Sequence, residues 1–255
     1  MKTLLKVLGG LVVAAILVAY LVIEEGERVT PTGSGTVNLD VGSFEALPLP
    51  DYAAKQLTGD YKSYLVEVEP GIKVHVLEVG SGLPLFLQHG NPTSGFLYRK
   101  VAAALPTDRV RVIMPTLVGL GFSSKVPVSE HTLDNHVRWI KGVLDQLQLT
   151  EVVYAGQDWG GPIGMGALAQ TPGLLRGAVI MNTGFSAPTG PIELSQAHAT
   201  VRTPVVGELV INVFTSIFEM LPRMQGDPNS IPPACLLYTS PSPRDLSTSR
   251  MPSSA

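Results

Sequence analysis

The sequence predicts an α/β fold, a mostly parallel sheet with helices on both faces, and three observations carry that reading. Short apolar or β-branched runs alternate with helix-length segments through the middle of the chain. Each crossover between parallel strands must pass over a face of the sheet, so this alternation is the pattern such a sheet requires. The first two of these strands, 64–69 and 72–79, are joined by Pro70-Gly71 and read as a hairpin that adds an antiparallel edge. Finally, 255 residues that are 45% hydrophobic suffice for one domain with a real core.

The elements follow in order. Residues 7–23 are uncharged, with Lys2 and Lys6 before them and Glu24, Glu25 and Glu27 after. With Leu4 and Leu5, this approaches the roughly 20 residues that cross a bilayer. Residues 1–23 are therefore expected to be a transmembrane anchor, or a signal segment. The charge asymmetry places the remainder on the periplasmic or extracytoplasmic side of the membrane. Residues 24–58 contain Pro31, Gly33, Gly35, Pro48 and Pro50 with little periodicity, and read as a linker and lead-in. After the hairpin come an apolar strand at 84–88, a helix at 96–105 and a strand at 109–114. Residues 131–147 form a helix with Val137, Ile140, Val143, Leu144 and Leu147 on one face. A buried strand at 152–155, a helix of small residues at 162–170 and a strand at 177–181 complete the pattern.

Composition excludes several function classes. Eighteen basic against 21 acidic side chains give a net charge of −3, and no basic stripe suggests nucleic acid as a partner. The single cysteine, Cys235, rules out a disulfide framework and any CxxC metal or redox motif. No metal and no cofactor are expected.

The chemistry gathers in two loops. Gly156-Gln157-Asp158-Trp159-Gly160 follows a β-branched strand and opens a helix, which is the G-x-nucleophile-x-G elbow with a carboxylate as nucleophile. Gly156 and Gly160 give the sharp turn its room, and the helix N-terminus stabilises the ionised carboxylate. A carboxylate can displace a halide, or open an epoxide, at an sp³ carbon and form an ester. The competing structural role for Asp158 is an ordinary helix cap. The second loop, His89-Gly90-Asn91-Pro92-Thr93-Ser94, follows the third of these strands, where an oxyanion loop belongs. Asn91 and Trp159 would supply N–H donors to a departing anion. Core packing for Trp159 and a turn role for Asn91 are the plainer alternatives. His89, Gly90 and Pro92 are expected to shape the loop.

These two loops, together with Gly119-Leu120-Gly121-Phe122-Ser123, resemble the signature loops of the haloalkane dehalogenases, members of the α/β-hydrolase superfamily. The similarity covers about residues 60–185. It implies the α/β-hydrolase fold, with Asp158 as nucleophile, Trp159 and Asn91 as halide holders, and a haloalkane as the small-molecule substrate. It also implies a catalytic histidine and an acid partner after a cap domain, and these are expected to be absent from this chain. The hydrolase core is placed at 59–183, incomplete at its C-terminus, and the start of a cap at 184–233. An apolar helix at 205–221 would offer Phe214 and Phe218 as pocket lining or as core. Residues 234–255, rich in Ser, Pro and Arg, resemble a translated sequencing adaptor and read as a non-native tail. Among the histidines, His75 lies on an early strand, His131 and His136 open a helix and read as surface residues, and His198 falls in the cap. Trp139 is expected on a surface helix. Epoxide hydrolases and β-lactone decarboxylases share the aspartate nucleophile and stay open as alternatives. A non-catalytic relative would show a decayed elbow, whereas both loops are intact.

Overall fold

The computed structural model describes residues 9–10, 13–15, 17, 27–184, 196, 199–200, 203 and 206–207. The expected cap helix and tail, with His198, Phe214, Phe218 and Cys235, lie outside the described residues.

One sheet of eight strands runs in the order β1-β2-β3-β4-β6-β5-β7-β8. Its strands are β1 (Thr36–Leu39), β2 (Gly42–Ala46), β3 (Lys62–Glu69), β4 (Ile72–Val79), β5 (Leu83–Gln88), β6 (Val110–Pro115), β7 (Val152–Gln157) and β8 (Leu175–Met181). Strands β1 to β4 pair antiparallel, and β4 joins β6 antiparallel. Strands β6, β5, β7 and β8 are parallel. The crossovers carry helices α2 (Arg99–Ala103), α3 (Leu133–Gln146) and α4 (Gly160–Ala169), and a short α1 (Asp51–Ala54) precedes β3.

Strand β4 shows why the sheet is covered on both sides. Val74 and Val76 enter one core cluster, with Val137, Ile140 and Val143 of α3 and Ile163 and Ala167 of α4. Leu77 and Val79 enter the opposite cluster, with Ala102 of α2, Phe96 and Leu87. Helix α3 starts where Thr132 accepts the Asn135 N–H at 3.2 Å, a side-chain N-cap.

The sheet also buries a charge. Glu78 on β4 is 2% exposed. It receives both Nε and Nη2 of Arg111 at 2.9 Å and the Tyr64 hydroxyl at 2.6 Å. Such a fork satisfies the carboxylate's lone pairs, without which burial would be prohibitive.

Three expectations need correction. First, among the described residues no helix is long and apolar enough to cross a membrane. The membrane anchor, the membrane as partner and the periplasmic or extracytoplasmic placement that depended on it are therefore not supported. Second, the lead-in is partly structured, since β1 and β2 pair Val37 with Phe44 and pack Val37, Leu39 and Phe44 on the core. Third, His131 and His136 are not surface residues, each being 1% exposed, and Trp139, on the same helix, is equally buried. His136 and Trp139 stand four residues before Ile140 and Val143, so they lie on the buried stripe of α3.

Replacing Glu78 with Ala strands the Arg111 charge and the Tyr64 hydroxyl. Urea unfolding of Glu78→Ala is expected to show a loss of about 3 kcal/mol, and a loss below about 1 kcal/mol would refute that role for the pair.

Candidate functional site

The turn from β7 into α4 has an unusual centre. Asp158 adopts φ 52°, in the left-handed region that costs an L-residue of this kind about 1–2 kcal/mol. The residue at the helix N-cap position is Trp159, φ −62°, with no side-chain cap bond. The Asp158 carboxylate does not serve the helix. Its Oδ1 accepts the N–H of Asn91 at 2.8 Å, from a loop 67 residues earlier. The Asp158 carbonyl is held from two sides, by the Gly161 N–H at 3.1 Å and the Thr183 hydroxyl at 2.6 Å. No sequence signal marks Thr183, which stands just beyond β8.

Two glycines let the loops touch. A Cβ on Gly90 would overlap the Asp158 carboxyl and come within 2.6 Å of the Trp159 nitrogen. A Cβ on Gly160 would overlap the Gln88 carbonyl oxygen and sit 2.9 Å from that of His89. The end of β5 and the start of α4 thus lie backbone to backbone. Asn91, Asp158 and Trp159 lie together where the two loops meet, with Trp159 half-buried against the core.

His89 shapes this loop through both ring nitrogens. Its Nε2 accepts the Leu117 N–H at 3.0 Å, so the proton lies on Nδ1 and is donated to the Gly90 carbonyl at 2.8 Å. The same carbonyl accepts the Thr93 N–H at 3.1 Å and the Thr93 hydroxyl at 2.9 Å. The Asn91–Pro92 peptide is cis. His89 therefore ties the loop after β5 to the chain leaving β6. There the third motif closes on itself, with Gly119 N–H on the Ser124 carbonyl at 2.7 Å and the Ser123 hydroxyl on the Thr116 carbonyl at 2.6 Å.

The other described histidines are structural too. His131 Nδ1 and His136 Nε2 lie 3.1 Å apart, and His136 meets the Trp139 ring edge-on at 5.0 Å. His75 Nε2 lies 2.9 Å from the Ser63 hydroxyl. Burial lowers His89 and His131 to about 4 and His75 and His136 to about 3. All four are neutral at pH 7. Among the described residues, no group of three or more His, Cys, Asp or Glu could hold a metal ion.

A histidine whose folded pKa lies below its unfolded value near 6.5 binds its proton more readily in the unfolded chain. Stability is then complete above pH 6.5 and falls as pH drops towards 4. Urea unfolding between pH 7 and 5 is expected to show a loss of up to about 1.4 kcal/mol per pH unit for each of these histidines. A stability that stays flat over that window would contradict their neutral burial.

Residues 84–203 match the family model described as alpha/beta hydrolase fold. Haloalkane dehalogenase 2 of Mycobacterium tuberculosis (strain ATCC 25618 / H37Rv) is 40% identical over 113 residues, which are 44% of this chain and 39% of that protein. Cis-3-alkyl-4-alkyloxetan-2-one decarboxylase of Shewanella oneidensis is 37% identical over 155 residues, 58% of this chain and 48% of that protein. The chain thus spans less than half the length of these curated relatives. The crystal structure of haloalkane dehalogenase DatA from Agrobacterium tumefaciens C58 superposes with a TM-score of 0.64 at 28% identity, covering 78% of this chain and 68% of that one. The chain has the α/β-hydrolase fold, with haloalkane dehalogenases among its relatives at moderate identity over part of its length.

Proposed function

We propose that the chain carries the nucleophile and the anion-stabilising loops of a hydrolytic haloalkane dehalogenase. The observation that carries this reading is the Asp158 carboxylate, held on a left-handed backbone and turned to the Asn91 N–H instead of to its own helix. An Asp158 oxygen attacks the halogen-bearing carbon, the C–O bond forms as the C–halogen bond breaks, and the halide leaves with the electron pair. The side-chain N–H groups of Trp159 and Asn91 stabilise the departing halide, while the Asn91 backbone N–H holds the Asp158 carboxylate. Water then adds to the carboxyl carbon of the alkyl ester, releasing the alcohol and restoring Asp158. That second step needs a base to take the water proton. His89 commits both nitrogens to the backbone and His131 and His136 are paired, so these are not the base. With no free base among the described residues, the ester is the product expected to be trapped.

The relative that acts on an oxetan-2-one favours a second reading, decarboxylation of a β-lactone through the same Asp158. An alkene and carbon dioxide, with no halide, would be its products.

The test is to incubate the protein with 1-bromobutane and follow bromide release with intact and peptide mass. The expected result is stoichiometric bromide release and a butyl ester on Asp158, both lost in Asp158→Asn. A folded protein that gives no bromide and no adduct with several haloalkanes would sink this reading. Alkene release from a cis-dialkyl oxetan-2-one would install the second.

A further inference from the structure

Below the elbow, β7 sends a phenol under the first turn of α4. Tyr154 is fully buried and stacks on Phe86 with ring centroids 6.4 Å apart. Its hydroxyl donates to the Gly160 carbonyl. A Cβ on Gly156 would lie 2.5 Å from that hydroxyl, and one on Gly164 would overlap it. Gly156, two residues before Asp158, and Gly164, one turn into α4, therefore make the slot that the Tyr154 ring fills. On the facing side the Tyr98 hydroxyl donates to the Gln88 carbonyl at 3.0 Å. Gln88 and Gly160 are the two residues whose backbones meet where β5 ends and α4 begins. Each side of that contact is held by a buried phenol.

We propose that Tyr154 is a positioning residue of the anion-stabilising site, fixing the start of α4 against the end of β5 so that the Trp159 and Asn91 N–H groups converge beside Asp158. The proposal rests on the reading of Asp158 as the nucleophile. The hydroxyl contacts neither Asp158 nor the substrate position; it acts through the Gly160 carbonyl. Without it, a gap too small for water opens under the first turn and loses the contacts on one side. The Trp159 N–H then moves relative to Asn91, and donors misplaced by a fraction of an ångström stabilise a developing charge poorly.

The experiment compares Tyr154→Phe with Tyr64→Phe, a second fully buried hydroxyl whose partner is Glu78 in the remote core. Two readouts are taken on the full chain: the rate of Asp158 alkylation by 1-bromobutane against its concentration, and the backbone amide resonances of Asn91 and Trp159. Tyr154→Phe is expected to lower the limiting rate about tenfold with the half-saturating concentration unchanged, and to shift both amides. Tyr64→Phe is expected to move thermal stability and neither readout. Should Tyr154→Phe not fold, Gly164→Ala, whose Cβ displaces the same hydroxyl, is read the same way. If the unsubstituted chain is not alkylated, the reaction assignment falls and the amide shifts alone decide the positioning role. A Tyr154→Phe protein with rate and amides like those of Tyr64→Phe would overturn the proposal.

Discussion

Holding one non-glycine residue, Asp158, in left-handed backbone at the end of a central strand is the constraint from which the rest of the site follows. Residues in that region cost of order 1–3 kcal/mol and persist only where their surroundings over-determine them. Here they do. Strand β7 lies between β5 and β8 and is buried through Val152, Tyr154 and Ala155. The Asp158 carbonyl takes two donors, and its carboxylate takes a third from the loop after the neighbouring strand β5. Because the backbone turns this way, the side chain stands free of α4 and leaves the helix start without a side-chain cap. Under the proposed function, this placement is what keeps the Asp158 carboxylate available for chemistry.

The loops beside it are held by polar groups kept neutral. His89 can join the chain after β5 to the chain after β6 only while one ring nitrogen carries a proton and the other does not. Burial keeps the ring neutral at neutral pH, and the Leu117 N–H selects the tautomer. The His131–His136 pair packs under the same region, where a Cβ on Gly119 would overlap the His131 ring. Acid thus threatens the fold and the geometry around Asp158 through the same side chains. The buried ion pair of Glu78 and Arg111 serves the other end of the sheet and has no part in this coupling.

Strand-forming runs and both signature loops were readable because their signals are local: β-branched runs, helical spacing, and glycines placed about an aspartate. Alternation over 62–79 and the apolar run at 152–155 place the strands that present the site. The β1–β2 hairpin was missed because each strand is short and only half-buried, which dilutes the period-2 signal. His136 reads as a surface residue by its type, and Trp139 belongs to a helix with an exposed face, yet neither side chain is exposed. Both lie on the stripe marked by Ile140 and Val143. Thr183 and Tyr154 could not have been assigned from the sequence, since each acts on the backbone of a residue met only after folding. The N-terminal run illustrates the opposite error, in which an apolar composition was read as a span that no described helix supports.

The left-handed constraint can be measured directly by comparing the unfolding free energies of Asp158→Gly and Asp158→Ala. Both lose the carboxylate and its bond to Asn91, so their difference isolates the backbone at this position. The account predicts that the glycine variant is the more stable by about 1 kcal/mol, because only glycine adopts positive φ without a Cβ penalty. An alanine variant equal to or more stable than the glycine variant would mean that Asp158 sits on ordinary helical or extended backbone, and the elbow on which the proposed chemistry depends would not exist.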